Sequence, residues 1–70
     1  MEIIYTEHAR DQIKERKLEK IWVEEAIKFP DEKRHKGIKS HAIKKINGVK
    51  IKVVYVKEKY IKVVTVFLIK

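Results

Sequence analysis

Residues 38–56 read IKSHAIKKINGVKIKVVYV, two runs rich in β-branched residues on either side of Asn47-Gly48. An Asn-Gly pair between such runs favours a type I′ turn, because both residues tolerate the positive φ angles that this turn requires. The stretch therefore predicts a β-hairpin in which Ile46 pairs with Val49. A charged turn at residues 57–59 and an apolar run at residues 60–69 predict a third strand, which completes an antiparallel meander.

The first residues predict a short strand followed by a helix. Residues 2–5 are mostly apolar, and Thr6 is a good N-cap because its hydroxyl can accept a hydrogen bond from the first helical turn. Glu7 places a negative charge where the helix dipole favours it. We expect this helix to run from about Glu7 to Lys17.

A second helix is predicted over residues 21–29, where apolar residues, including a core tryptophan at Trp22, recur at helical spacing. Pro30 ends it, since the residue before a proline is disfavoured in the α region. Residues 31–36 are polar and basic and predict a loop with some extended character before the breaker Gly37. The expected fold is α+β with the order β-α-α-β-β-β, the two N-terminal helices packing on one face of the meander.

Side-chain alternation divides the meander into two faces. The face expected to pack against the helices carries Ser40, Ala42, Ile46, Val49, Ile51, Val53 and Tyr55, joined by Val64, Val66 and Leu68 when Val56 pairs with Ile61. The other face carries Lys39, His41, Ile43, Lys45, Lys50, Lys52, Val54 and Val56, joined by Ile61, Val63, Thr65 and Phe67. Lys44 and Lys62 interrupt the first face and are expected to reach solvent at its edges. The second face is left open, with a lysine rim beside an apolar patch.

Positive charge is concentrated in the C-terminal half of the chain. The whole chain has 18 Lys and Arg against 10 Asp and Glu, a net charge of +8. Residues 1–35 are close to neutral, whereas residues 36–70 hold many lysines and the single acid Glu58. This asymmetry indicates an anionic partner, either nucleic acid, an acidic protein or an acidic membrane surface. The alternative is that lysine only keeps the sheet edges soluble.

Length and composition limit the classes of protein that fit. Residues 1–70 are long enough for one small domain with a marginal core, and the absence of cysteine excludes disulfides and thiolate zinc sites. The 40% of charged residues resembles the composition of heat-adapted proteins. No run reaches the ~18 apolar residues of a membrane span. The N-terminus has no signal-peptide pattern, so we expect a cytoplasmic protein without a metal, cofactor or membrane partner.

Few residues are candidates for catalysis, because no Gly-rich phosphate loop and no nucleophile motif occurs. His8 and Arg16 are eight residues apart and share one side of the first helix, and His41 lies on the lysine face. A histidine among lysines is suited to proton transfer on RNA while lysine holds the phosphate. His8, Arg16 and His41 are therefore the candidate catalytic residues, with surface or capping roles as the alternative. The candidate nucleic-acid-binding residues are Lys39, Lys45, Lys50 and Lys52.

These features together resemble a known group of small domains. The chain resembles a family of prokaryotic domains that opens with a Thr-x-His-Ala helix carrying arginines. The resemblance lies in Tyr5-Thr6-Glu7-His8-Ala9, in Arg16, in a helix that ends at Pro30-Asp31, and in strands at residues 49–55 and 62–66. That family is similar to the RelE/ParE and BrnT toxins. The resemblance implies a RelE-like fold without the extra C-terminal helix, and metal-independent RNA cleavage or gyrase binding. The position four residues after the histidine, often arginine in the family, is Gln12 here.

Two hypotheses of different classes follow. The first is a toxin-like domain that binds or cleaves RNA, with the lysine face on the phosphate backbone. The second is a non-catalytic interaction module whose apolar patch docks an antitoxin-like protein or a second copy of the chain in a homodimer. A structural domain without a ligand is the third and simplest interpretation.

Overall fold

A computed structural model describes residues 2–69, which form two helices on a five-stranded mixed sheet. The elements are β1 (Ile3–Tyr5), α1 (Glu7–Glu15), α2 (Lys20–Lys28), β2 (Glu32–Lys36), β3 (Lys39–Ile46), β4 (Val49–Lys57) and β5 (Ile61–Ile69). The strand order is β1-β5-β4-β3-β2, with β1 parallel to β5 and all other neighbours antiparallel. The predicted α+β class and the β3-β4-β5 meander are confirmed, and the observed order contains one further strand.

The additional strand is β2, which lies where a loop was expected. Glu32–Lys36 pairs with β3 in antiparallel register, and every one of its side chains is exposed. Gly37 opens the two-residue turn with a φ of +62°, as glycine does at the first central position of a type II′ turn. The strand was missed because the strand signal is alternation of apolar and polar residues, and β2 contains no apolar residue.

The hairpin around Asn47-Gly48 has the predicted geometry. Asn47 and Gly48 have φ angles of 51° and 78°, and Ile46 pairs with Val49 as expected. Both positive angles are those of a type I′ turn, whose twist matches that of the flanking strands. This turn sets the register of the whole β3–β4 pair.

The ends of α1 follow from local hydrogen bonding. The Thr6 hydroxyl accepts a hydrogen bond from the Ala9 N–H at 3.1 Å, which confirms the predicted N-cap. The helix ends at Glu15, two residues before the predicted end, because Lys17 adopts a left-handed φ of 54°. Leu18 N–H then donates to the Ile13 carbonyl at 2.9 Å, and Lys17 N–H donates to the Lys14 carbonyl at 3.2 Å. These two bonds are those of a Schellman motif.

The core lies between the helices and one face of the sheet. Its buried side chains are Ala9, Ile13, Val23, Ala26, Ile27, Ala42, Ile51, Val53, Tyr55, Ile61, Val63 and Val66. α1 packs on β5 and β1, while α2 packs on β3 and β4. Trp22 is half-buried against this cluster. Neither helix of residues 2–69 has the length and apolar character needed to cross a membrane.

The β4–β5 register differs from the predicted one and moves three residues to the opposite face. Lys57 pairs with Ile61 and Tyr55 with Val63, and a bulge then leaves Val64 without a partner. Ile61 and Val63 are therefore in the core, not on the open face, and Lys62 lies on the open face beside Val56. The energetic reason is that burying two β-branched side chains contributes roughly 1.5–3 kcal/mol each, which offsets one irregular pair. Beyond the bulge, Thr65 to Leu68 occupy their predicted faces.

Candidate functional site

The face of the sheet that points away from the helices is strongly basic, and it is called the open face below. Strand pairing places seven cationic side chains on it: Arg34, Lys36, Lys39, Lys45, Lys50, Lys52 and Lys62. Glu32 is the one acidic side chain on the same face of the five strands. All four predicted nucleic-acid-binding lysines lie on this face, and β2 together with the shifted register adds Arg34, Lys36 and Lys62.

Two pairs of lysines on the open face stand directly opposite each other. Lys45 pairs with Lys50 across β3 and β4, and Lys36 pairs with Lys39 across the turn that joins β2 to β3. Like charges in directly opposed positions destabilise a sheet. These positions therefore cost the free protein stability, a cost that bound anions would relieve.

The apolar patch of the open face differs from the expected one, and it includes Ile4 of β1, which pairs with Lys62 and is 39% exposed. Ile61 and Val63 have left it for the core, and Val54 is only 6% exposed because its neighbours on the same face cover it. Lys52 extends over the Phe67 ring, with Nζ 5.4 Å from the ring centroid, a cation–π distance. On the surface that the interaction-module hypothesis requires, Ile4 is therefore exposed, whereas Ile43, Val56 and Phe67 are half-buried.

A shallow depression of about 340 Å³ lies on the open face where β2, β3 and β4 meet. Its lining residues are Glu32, Arg34, His35, Lys36, His41, Ile43 and Lys52. Glu32 Oε1 accepts hydrogen bonds from Arg34 Nε at 3.1 Å and from Arg34 Nη2 at 2.7 Å, which holds the guanidinium in place. The depression is therefore a concave cluster of cations with one acid, already paired.

His41 lies half-buried in this depression, opposite Arg34 on β2 and Val54 on β4. Burial lowers the pKa of its imidazole, and the positive charges of Lys52, Lys36 and Lys39 lower that pKa further. The lowered pKa favours the neutral ring, which presents one N–H donor and one acceptor. An anion bound beside it would oppose the lysines and favour protonation.

The three predicted catalytic residues do not come together. His8 and Arg16 are exposed on α1, which packs on the core face over β5 and β1. His41 is on β3, on the opposite face and two strands away from β5, a lateral separation of roughly 10 Å from strand spacing alone. The geometry offers no point at which one substrate bond would contact all three side chains.

A serine–histidine pair that the sequence did not reveal closes the β2–β3 hairpin on the core side. Ser40 Oγ lies 3.1 Å from His35 Nδ1, and the serine is only 6% exposed. Sequence spacing gives no sign of this pair because it depends on the register set by the Gly37 turn. Burial of the hydroxyl favours a structural role, in which His35 satisfies a polar atom that would otherwise be unpaired.

The connection between α2 and β2 fixes the position of the depression. Asp31 N–H donates to the Ile43 carbonyl at 2.9 Å, and Asp31 Oδ2 accepts from the Lys45 N–H at 2.9 Å. Lys44 reaches out of the core face to donate from Nζ to the Phe29 carbonyl at 2.8 Å, at the C-terminal end of α2. These contacts anchor the start of β2 against β3, so that Arg34 and Lys36 are held beside His41.

Within residues 2–69, no group of three or more His, Asp or Glu side chains is arranged to hold a metal ion.

A sequence model of a protein family, described as a domain of unknown function (DUF4258), matches residues 5–68 of the chain. No curated protein and no solved structure matches it. The function must therefore be argued from the residues themselves.

Proposed function

We propose, from the premise that the chain belongs to the DUF4258 family of unknown function, that this protein binds RNA through its open face. The observation that carries the proposal is the set of seven cations against one acid on a single sheet face. A phosphate backbone engages many such cations at once, and release of its counterions supplies most of the affinity. A lone small anion would use only a fraction of this surface.

The chemistry of the open face favours a flexible, single-stranded polyanion. Side chains of Phe67 and His41 lie among the lysines, and aromatic rings of this kind stack on unpaired bases. At Phe67 a stacked base would take the place of Lys52 Nζ over the ring. Within residues 2–69 the face is a broad surface formed by strands, and both helices, which could otherwise enter a major groove, pack on the opposite side of the sheet. The resemblance to RelE-like toxins implies RNA as the polymer, whereas the ParE branch of that resemblance implies binding to gyrase.

The open face is proposed to bind RNA, and cleavage of RNA requires a separate test. His8 and Arg16 lie in the helical layer, whereas His41 lies on the open face. Of these three residues, only His41 is placed to contact RNA bound to the open face. We expect His8→Ala and Arg16→Ala to bind RNA as the unaltered protein does. Incubation of RNA with the protein in EDTA tests cleavage directly. Loss of cleavage in His8→Ala or Arg16→Ala would assign a catalytic role to α1.

The test of binding is fluorescence anisotropy with a labelled single-stranded RNA over a range of salt concentrations. Lys45→Gln and Lys50→Gln each remove one charge from the open face, and Lys14→Gln and Lys28→Gln remove one exposed charge from the helices as matched controls. Each open-face change should weaken binding of all RNA sequences and reduce the slope of log K against log salt by about 0.7 per lost phosphate contact. Equal effects of the two sets would contradict the proposal.

A further inference from the structure

The depression differs from the rest of the open face in concentrating its charges at one point. Arg34 and Lys36 reach it from β2, His41 from β3 and Lys52 from β4. Elsewhere on the face, lysines such as Lys45, Lys50 and Lys62 stand outside it. A regular strand of phosphodiesters matches the spread-out cations, while the depression suits a single group of higher charge.

The donors that remain free in the depression are numerous. A guanidinium has five N–H donors, and Glu32 occupies Nε and one N–H of Nη2, which leaves three donors on Arg34. Lys36 contributes an ammonium group and His41 one ring N–H, while the Lys52 ammonium lies over the Phe67 ring and would have to leave it to contact a bound phosphate. The single acid is held by Arg34 at 2.7 Å. The donors that Glu32 leaves free are of the kind that a doubly charged phosphate requires, and a bound phosphate would share Arg34 with the Glu32 carboxylate.

We propose that this depression binds the terminal phosphate monoester of an RNA strand, so that the protein prefers RNA with a phosphorylated end over the same RNA with hydroxyl ends. The inference rests on the proposed function, because the open face must hold the adjoining strand. A phosphate monoester carries a charge of −1.5 to −2 at neutral pH, against −1 for each internal phosphodiester. The converging cations therefore favour the end of the strand over its interior.

The size of the depression fits this ligand. Its volume of about 340 Å³ lies at the lower end of the roughly 300–1,000 Å³ of small-molecule sites. It therefore accommodates a phosphorylated terminal nucleotide, with Ile43 as an apolar contact for the sugar or base. The remaining nucleotides would extend over β4 and β5 toward Phe67 and Lys62.

Binding of a terminal phosphate should be coupled to uptake of a proton by His41. The charged and titratable groups around His41 are Glu32, Arg34, His35 and Lys36 on β2, Lys39 on β3 and Lys52 on β4. A phosphate dianion placed among them offsets most of the positive charge that surrounds His41 and so raises the pKa of the imidazole. Binding of phosphorylated RNA should therefore be accompanied by proton uptake at His41 in the pH range above about 6, where the terminal phosphate is still largely a dianion.

The experiment compares RNA oligonucleotides of one sequence that carry a 5′-phosphate, a 3′-phosphate or only hydroxyl ends, at fixed ionic strength, with the full chain. We expect one phosphorylated end to bind on the order of tenfold more tightly. Lys36→Gln should abolish this preference, whereas Lys45→Gln, which removes the same charge outside the depression, should weaken all three RNAs and keep the preference.

Each other outcome is decisive. Equal binding of all three RNAs would overturn the terminal-phosphate site and leave RNA binding by the open face intact. Absence of binding to any RNA would overturn the proposed function as well. A parallel NMR titration with inorganic phosphate follows the His41 ring, and saturable shifts there without any preference among the RNAs would identify free phosphate as the ligand and contradict the RNA end.

Discussion

Gln12 Oε1 accepts a hydrogen bond from the backbone N–H of Val66 at 2.8 Å and another from the Thr65 hydroxyl at 2.5 Å. β1 pairs with β5 only as far as Val63, so the next part of this edge of β5 has no neighbouring strand. The Thr6 hydroxyl donates to the Val64 carbonyl at 3.1 Å in the same region. Side chains of α1 thus replace the missing strand.

Replacing Gln12 with leucine should destabilise the protein. Gln12→Leu removes the acceptor and leaves the partly buried Val66 N–H and Thr65 hydroxyl without this partner, which costs about 1–3 kcal/mol. Urea denaturation measures the difference. Gln12→Glu keeps an acceptor oxygen at the same position and should retain most of the stability. Equal losses in both variants would show that the hydrogen bonds are not the cause.

Lys17→Gly should stabilise the fold. Lys17 adopts a φ of 54°, a conformation in which Cβ crowds the backbone of every residue except glycine. Removal of this strain should raise the free energy of unfolding by about 0.5–1 kcal/mol after the greater chain entropy of glycine is subtracted. Thermal denaturation tests this, with Lys14→Gly in the last turn of α1 as a control that should lose stability. A loss in Lys17→Gly would contradict the capping geometry.

Charge reversal at Lys45 should raise the stability of the protein and weaken its binding to RNA. Lys45→Glu converts the opposed lysine pair with Lys50 into an attractive pair, which should add roughly 0.2–1 kcal/mol to the free energy of unfolding at low salt. The same change should weaken RNA binding, because it places a carboxylate on the open face. Lys57→Glu alters the same charge on the core side of the sheet, opposite Ile61, and should affect RNA binding far less. If the Lys45→Glu protein is less stable than the unaltered protein at low salt, repulsion between Lys45 and Lys50 does not destabilise the sheet.

Stability should decrease as the pH falls below about 6.5, the pKa of an unperturbed histidine. The pKa of His41 is lowered in the folded protein, so between that lowered value and about 6.5 the unfolded chain binds more protons than the folded one. The free energy of unfolding therefore declines through this range as the pH decreases. His41→Gln should remove this part of the decline, as measured by urea denaturation from pH 8 to pH 5.

A neighbouring lysine provides the control for the pH effect. Lys52→Gln removes one of the charges that depress the pKa of His41 and should make the decline shallower. Lys45→Gln removes a lysine that is not among those charges and should leave the decline unchanged. An identical pH profile in His41→Gln and the unaltered protein would show that other groups control it.

Local signals in the sequence were sufficient for much of the fold. Asn47-Gly48 determined a hairpin and its register, because only residues that tolerate positive φ fit both turn positions. Thr6 set the start of α1 and Pro30 followed the end of α2, through backbone hydrogen bonds and steric limits within one turn. The lysine-rich face also followed directly from side-chain alternation.

The tertiary structure alone decided the features that depend on distant neighbours. β2 is a strand because β3 offers it an edge that β4 leaves unpaired, a fact that the charged residues of β2 do not encode. The bulge at Val64 exists because Ile61 and Val63 gain more from the core than the regular register would give. The depression around His41 therefore could not be predicted. It brings Arg34, Lys36 and Lys52 together through the β2–β3 and β3–β4 pairings, and the sequence of β2 predicts a loop.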